Sequence, residues 1–498
     1  MGTDSAFGTI LSTFDSPSTR RFLFSVNKDK VIRRGQFVQV ALGDGRLIGR
    51  VSDVFKTNRY YMRPESVTSY ENSGAKINEI FPAGDWECMV ADVTTMGIFD
   101  GSGFSESTFP PSPGDQVTEP EAGILEKFFG IDQKGLNIGK VSYHGIDACL
   151  NLTKLLQKHL AILAMSGAGK SFLTGVIIEE IMARAKKESI SVVVIDTHGE
   201  YNTCFADDKN YANRTKVFPS SDLRIGLANI SPHQLGGFVN LTGPQIRELA
   251  KVWKKSKEHS ITDLVEAVEK SESINVKTKE TIISALDEIG RTGLFGPADY
   301  PPLDDIARQG QVSVIDLSEE INMKKKQIIV SYIASKLFHS RRDGIIPPFL
   351  LVLEEAHQYA PEKAKKEDAL SRGILQTIAR EGRKFQSCLC LISQRPVNLS
   401  TTILSQCNTK VILRVTNPYD LEHIGESSEA ITKDVLNQIT TLPVGTALVV
   451  GEAVNFPLFV RVRKRRSKES EKGRSLEEAA AEFYEKTEQM RKDAKEFM

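Results

Sequence analysis

The residues best placed to do chemistry in this sequence are Ser166-Gly167-Ala168-Gly169-Lys170-Ser171. A small, glycine-rich turn that opens a helix lets backbone N–H groups converge on phosphate oxygens. Lys170 is spaced to reach the β and γ oxygens, and the Ser171 hydroxyl to ligate Mg²⁺. Phe172 follows as the helix begins. The usual pattern is G-x-x-x-x-G-K-[ST]. Here Ala164 stands at the first glycine, which is a mild departure because alanine still permits the close turn.

Acids complete such a site. Phe349-Leu350-Leu351-Val352-Leu353 is an apolar run ending in Glu354-Glu355-Ala356-His357. One carboxylate at such a strand end holds Mg²⁺ through water and the other polarises the attacking water. Glu355 is expected as the base and Glu354 in the magnesium shell. A second run, Ser191–Ile195, ends in Asp196-Thr197-His198-Gly199-Glu200-Tyr201, which places Asp196 and Glu200 where ligands bind in open parallel sheets. A third, Cys388–Ile392, ends in Ser393-Gln394-Arg395-Pro396. Gln394 is positioned to sense a γ-phosphate or hold the water. Upstream, Arg380 and Arg383 suit an arginine finger, which stabilises transition-state charge and is often supplied by a neighbouring subunit. For each arginine alone, a surface salt bridge is the competing reading.

These side chains need strands that end together. His159–Ala164 reads as a short buried strand before the glycine-rich turn. Leu173, Val176, Ile177 and Ile181 follow at helical spacing. Further strands are predicted at Val312–Leu317, Lys410–Val415, Ala447–Val450 and Leu458–Val462, with a helix near 323–340. Between the halves of this α/β core, Ile246, Leu249, Val252, Trp253, Leu264, Val265, Val268, Ile282, Ile283, Leu286 and Ile289 recur at helical spacing, and Ser260 opens one of the helices. The first 125 residues read instead as short strands and turns, with Asp44-Gly45 as a hairpin signal. They predict a small closed β-barrel suited to assembly or docking. The fold class is therefore α/β, in five segments. Residues 1–125 form the barrel, 126–229 the first part of the ATPase core and 230–300 an inserted helical bundle. Residues 301–465 form the second part of the core and 466–498 a basic linker and C-terminal helix. In the tail, Arg461, Arg463, Lys464, Arg465, Arg466 and Lys468 could touch phosphates or form a solvated linker. Behind a capping box at Ser475–Glu478, Leu476, Ala480, Phe483, Thr487, Met490, Ala494 and Phe497 make a narrow seam. It fits another subunit or a face of the same chain.

The composition narrows the class. The 498 residues carry 64 basic and 64 acidic side chains, so nucleic-acid contact must come from local patches or from several copies lining a pore. No apolar run is long enough to span a membrane. No secretory signal is evident at the N-terminus. The six cysteines are scattered and include no C-x-x-C, as in reduced thiols of a cytoplasmic protein.

Taken in order, the barrel, the turn at 159–171, the D-x-H-G-E-Y run, the helical insert, E-E-A-H, Ala379–Phe385 and Ile392–Pro396 resemble the HerA family. These are relatives of FtsK among the hexameric RecA-like ATPases. The resemblance spans about residues 1–465. It implies a homohexameric ring with the barrels on one face, ATP and Mg²⁺ as cofactors, hydrolysis between subunits, and Arg383 ahead of Arg380 as the finger. At Lys158 relatives carry an arginine near the nucleotide. The family threads duplex DNA through the ring, either with a NurA-like nuclease in DNA end processing or with a nuclease or sirtuin-type NAD-hydrolysing effector in antiphage defence. The composition lacks the Lys/Glu-rich, Cys-poor profile of a hyperthermophile, which tilts the expectation toward a mesophile and a defence partner. The implied function is an ATP-driven duplex-DNA translocase or helicase. The alternative is an ATP-dependent oligomeric scaffold that assembles and regulates a partner effector, with translocation secondary.

Overall fold

In this computed structural model the described residues are 6–12, 16–59, 61–74, 76, 83–254, 260–365, 368–428, 431–468 and 476–496. Packing divides the chain into two units, one of residues 1–132 with 140–148, the other of 133–139 with 149–498.

The first unit is built on seven strands, β1 (Ala6–Ile10), β2 (Arg21–Val26), β3 (Phe37–Leu42), β4 (Gly45–Asn58), β5 (Glu87–Phe99), β6 (Phe104–Ser105) and β7 (Gln116–Thr118). Their order is β2-β1-β7-β3-β4-β5-β6, and β2 also pairs with β5. That last pairing closes six strands into the expected small barrel and leaves β6 outside the ring. Closure removes the open sheet edges. Inward residues alternate along the strands and meet in a core that includes Phe22, Phe24, Val38, Val40, Leu47, Val93 and Val117. The β3–β4 hairpin turns at Gly43-Asp44, with Leu42 opposite Gly45. The sequence predicts a strand over Trp86–Val93, and β5 runs on to Phe99. The helices Pro64–Asn72 and Ala122–Phe129 were not expected. The first has a proline in its opening turn, and the second stops at Gly130 in the left-handed region (φ 71°).

The second unit is a doubly covered sheet. Its strands include β10 (Leu160–Leu163), β11 (Ser191–Asp196), β12 (Thr215–Pro219), β15 (Val312–Asp316), β16 (Phe349–Leu353), β17 (Ser387–Ser393) and β18 (Thr409–Ile412). The order β12-β15-β11-β16-β17-β10-β18 is parallel throughout. Then β19 (Thr446–Gly451) and β20 (Leu458–Val462) add antiparallel. Strands β10, β11, β16 and β17 are buried along their whole length, which is why they read as unbroken apolar runs rather than alternations. The sequence reads residues 135–158 as a connector into the strand before the glycine-rich turn, but they hold β8 (Leu136–Val141), β9 (Asp147–Leu150) and the short helix Leu152–Leu156, capped by the Asn151 side chain.

Four helices, Pro232–Phe238, Gly243–Trp253, Ile261–Glu269 and Val276–Gly290, lie between the two-residue strands β13 (Ile225–Gly226) and β14 (Phe295–Gly296). These strands pair in parallel and bring the ends of the insert together. Asp299 locks that base. It accepts bonds from the Gly226 N–H (2.7 Å), the Asn229 amide (2.8 Å) and the Tyr332 hydroxyl (2.8 Å), and meets the Lys336 ammonium. Ser260 caps its helix by accepting the Asp263 N–H at 3.0 Å.

The expected C-terminal helix spans Leu476–Glu496. Its Leu476, Phe483 and Met490 are 87, 74 and 70% exposed, so these seam positions are not docked on the rest of the chain. Ser475 of the expected cap, the Ala494 side chain and Phe497 lie outside the described residues.

Candidate nucleotide site

Parallel strands that end side by side present their following loops at one edge. Strands β10, β11, β16 and β17 do so here, and the polar motifs read from the sequence all lie at their C-terminal ends. The turn after β10 is slung between its neighbours: the Ala164 N–H donates to Ser393 O (3.2 Å) and the Met165 N–H to Arg414 O (2.9 Å). Gly169 then caps the helix Lys170–Ala183 in the left-handed region (φ 101°), where a side chain would be strained. The helix therefore begins at Lys170 with free N–H groups facing the cleft.

That cleft, of about 380 Å³, is lined by Ser166, Gly167, Gly169, Lys170, Ser171, Phe172, His198, Glu200, Glu354, Glu355 and Gln394. Ala168 and Asp196 do not line it; they are buried behind its wall, 3 and 0% exposed. Asp196 organises the wall instead. Its carboxylate accepts the N–H groups of Gly199 (2.7 Å), Glu200 (2.9 Å) and Tyr201 (2.9 Å). Glu354 accepts those of Thr197 (2.7 Å) and His198 (2.9 Å). Burial raises the pKa of both acids, and each feels further negative charge: Glu354 that of Asp196 and Glu200, Asp196 that of Asp316. Glu354 and Asp196 also share a hydrogen bond.

Glu355 sits in left-handed backbone (φ 48°), a conformation that costs a non-glycine residue about 1 kcal/mol or more. Its side chain is 3% exposed and its Oε2 has no hydrogen-bond partner. Burial raises its pKa, and the Lys170 charge opposes the rise. His357, not assigned a role from sequence, places Nδ1 3.3 Å from that oxygen and 3.2 Å from Ser393 Oγ. Burial, with the positive charges of Arg395, Lys170 and His198, lowers its pKa to about 4, so at neutral pH the ring is uncharged.

The residues fit Mg²⁺·nucleotide. A hydroxyl on Ser171 and carboxyl groups on Glu200, Glu354 and Glu355, the last with an unpartnered buried oxygen, converge beside a phosphate cradle. Among the described residues no three His, Cys, Asp or Glu side chains form a metal cage on their own. Magnesium bound mainly through phosphate oxygens, water and a hydroxyl requires none.

The two arginines lie elsewhere. Arg380 and Arg383 are on the exposed side of the helix Arg372–Phe385. This helix ends two residues before β17 begins, so Arg383 sits at the N-terminal edge of the sheet. The cleft is at the opposite edge. Buried His159 pins that helix. Its Nδ1 accepts the Leu389 N–H (3.0 Å) and its Nε2 donates to Ala379 O (3.0 Å). Burial lowers its pKa to about 4, which fits this one-donor, one-acceptor ring. Lys158, beside it, pairs with Glu452 at 2.7 Å, and Glu452 also feels the Arg383 charge.

The basic tail holds a contact that sequence spacing does not show. Glu179, fully buried in the helix Lys170–Ala183, accepts bonds from Arg463 (2.8 Å), the N–H groups of Arg466 (2.9 Å) and Ser467 (2.8 Å), and the Ser467 hydroxyl (2.7 Å). Arg463 also pairs with Glu180 at 2.8 Å. Arg465 lies over the rings of Phe172 and Phe205. Arg463 and Arg465 are therefore neither phosphate-ready nor a solvated linker; they fasten the tail to the helix that starts at Lys170. The only sequence signal was an acid pair inside an apolar helix. Glu179→Ala removes one of the two carboxylates on Arg463, leaves two N–H groups and the Ser467 hydroxyl without their acceptor, and is expected to destabilise the fold by roughly 3–5 kcal/mol. Scanning calorimetry should show a Tm lower by several degrees, and an unchanged Tm would demote the contact to a surface pair. Burial raises the Glu179 pKa, but Ser467 and Arg463 outweigh it and the net shift is downward. Its contribution is thus present above the ordinary glutamate range and lost as pH falls through the depressed value.

The chain is similar to known proteins in sequence and in fold. Residues 136–337 match the family described as Helicase HerA, central domain. A probable helicase of Methanocaldococcus jannaschii is 29% identical over 470 residues, covering 86% of each chain. The DNA double-strand break repair helicase HerA of Pyrococcus furiosus is 28% identical over 509 residues, covering 88% of this chain and 89% of its own. Among solved structures, VirB4 of Thermoanaerobacter pseudethanolicus superposes with a TM-score of 0.51 at 14% identity, over 67% of this chain and 98% of its own, a likeness of fold.

Proposed function

The chain belongs to the HerA family of P-loop ATPases, and from that premise we propose that it is a ring-forming, ATP-driven duplex-DNA translocase that works with a partner enzyme. The observation that carries the reading is the division of the catalytic groups between opposite edges of one sheet. Lys170, Ser171, Glu355 and Gln394 meet in a cleft at one edge, and Arg383 stands exposed at the other. A ring of such subunits brings the second edge of one copy to the cleft of the next. The relatives' names, probable helicase and DNA double-strand break repair helicase, support duplex DNA as the substrate.

The residues divide the work. Lys170 and the N–H groups at the helix start bind the phosphates. Glu355 orients a water and takes its proton as it attacks, and its raised pKa makes it a better base than an exposed carboxylate. Gln394, half-buried at the tip of β17, holds that water or reads the γ-phosphate. Bound Mg²⁺, with Ser171 as a ligand, would neutralise charge between the β and γ phosphates. Arg383, with Arg380 as second candidate, supplies positive charge to the neighbouring subunit's transition state.

A homohexamer, a NurA-like nuclease or a sirtuin-type NAD-hydrolysing effector as partner, and a role in end processing or antiphage defence extend this reading. Supporting the ring are the uncovered apolar side chains of the helix Leu476–Glu496. No helix among the described residues is long and apolar enough to cross a membrane. The scaffold alternative differs in one measurable respect, its indifference to DNA.

The test is ATPase turnover with and without linear duplex DNA at two salt concentrations, with Lys170→Ala as the inactive reference. A translocase is stimulated by DNA, and the stimulation weakens as salt rises because phosphate contacts release counterions. Turnover that ignores DNA at both salts would favour the scaffold.

A further inference from the structure

Three glutamates stand near the Ser171 hydroxyl, and the backbone has already engaged one of them. Glu354 is 3% exposed, and its Oε2 takes both the Thr197 and His198 N–H groups, at 2.7 and 2.9 Å. Its main-chain oxygen accepts the Thr197 hydroxyl at 3.1 Å, and that hydroxyl also meets Tyr359 Oη at 2.9 Å. These bonds fix the turn 196–201 against the end of β16. The carboxyl group also shares a hydrogen bond with Asp196, so turning it toward a cation would cost that bond and disturb two buried N–H donors, and unpaired buried donors are costly.

Glu200 is placed differently. Its main chain is held by Asp196, which leaves the side chain free of that duty. Its carboxylate is half-buried at the cleft wall and accepts the Ser171 hydroxyl in a hydrogen bond. A second observation points to a ligand at the same place: Glu355, more than nine-tenths buried, lines this cleft, and its Oε2 has no hydrogen-bond partner.

We infer that Glu200 is the protein carboxylate beside the nucleotide-bound divalent cation, and that Glu354 is a positioning residue that holds the 196–201 turn. The inference rests on the ATPase reading and assigns the acid that reading leaves open. A small hard cation takes oxygen donors and commonly keeps only one or two carboxylates among phosphate and water. Ser171 and Glu200 supply a hydroxyl and a carboxylate that already touch, and both are spared from the hydrogen-bond network that ties up Glu354.

The experiment titrates Mn²⁺ into the full chain held saturated with a slowly hydrolysed ATP analogue and follows free Mn²⁺ by electron paramagnetic resonance. Nucleotide affinity is measured separately in chelator. Glu200→Gln is expected to weaken Mn²⁺ binding by about tenfold or more, with metal-free nucleotide affinity nearly unchanged. Glu200→Asp should recover part of the loss. Glu354→Gln is expected to leave Mn²⁺ affinity within about twofold while lowering Tm, because it disturbs the turn. The reverse pattern, with Glu354→Gln weakening Mn²⁺ and Glu200→Gln silent, overturns the assignment. A wild-type chain that takes up no nucleotide at all is a different result and sinks the ATPase reading itself.

Discussion

Glu355→Gln should lower ATP turnover by about 10²–10⁴-fold and leave ATP bound. The substitution keeps the side-chain volume and the left-handed backbone at this position, and it removes only the ability to accept a proton. Lys170 loses a nearby negative charge but keeps its place, and with the helix N-terminus it still holds the phosphates. Single-turnover hydrolysis and equilibrium nucleotide binding separate the two effects. Turnover close to wild type would move the base to another acid of the cleft. The pH profile gives an independent check. Burial raises the Glu355 pKa, so the acidic limb of the wild-type profile should lie above the ordinary glutamate value of about 4.3. The carboxylate must be ionised to act as base, so activity falls as pH drops through the raised value. In Glu355→Gln that limb should vanish.

Local chemistry was legible in the sequence where it was written contiguously. The cradle at 166–171 needs a tight turn and a helix start in one short stretch, and the residue types spell both. The acids were legible because each ends an unbroken apolar run, and such runs in a parallel sheet end on one edge. Convergence of Lys170, Glu355 and Gln394 follows from that edge rather than from their separation in the chain. What was hidden depends on partners far away. Glu179 reads as one more charge on a helix until Arg463 and Ser467 return, more than 280 positions later, to satisfy it. The division of labour between Glu354 and Glu200 was likewise invisible, because it turns on which carboxylate the backbone N–H groups of the 197–198 turn consume. The hairpin at 136–150 was missed because its residues alternate only over short lengths, where turn and strand signals compete. The C-terminal seam was visible as spacing, but spacing alone does not distinguish a helix docked on its own chain from one left open.

Arg383→Ala should reduce turnover by about 10³–10⁵-fold in a ring, the range for loss of an arginine finger, and the defect should be curable by mixing. The geometry supplies the reason. The P-loop strand β10 is four residues long, so at ~3.3 Å per residue its two ends stand roughly 13 Å apart. Arg383 lies beyond one end and the cleft beyond the other. No rotamer carries the guanidinium around the sheet to its own subunit's phosphates. If the residue takes part in catalysis, the phosphates belong to a neighbour. His159 makes the placement firm, since it ties the arginine-bearing helix at Ala379 to the start of β17 at Leu389. Arg383→Ala subunits keep an intact cleft and lack the finger; Lys170→Ala subunits have a defective cleft and keep the finger. A mixed assembly therefore contains some interfaces with a working cleft and a working arginine, and it should regain turnover that neither variant has alone. The measurement is ATPase rate against mixing ratio, on assemblies whose mixed composition is verified by mass spectrometry. Recovery peaking near equal proportions supports the finger in trans. Verified mixed rings without recovery would return Arg383 to the salt-bridge role suggested by its neighbour Glu452, and Arg380 would then be tested in the same way.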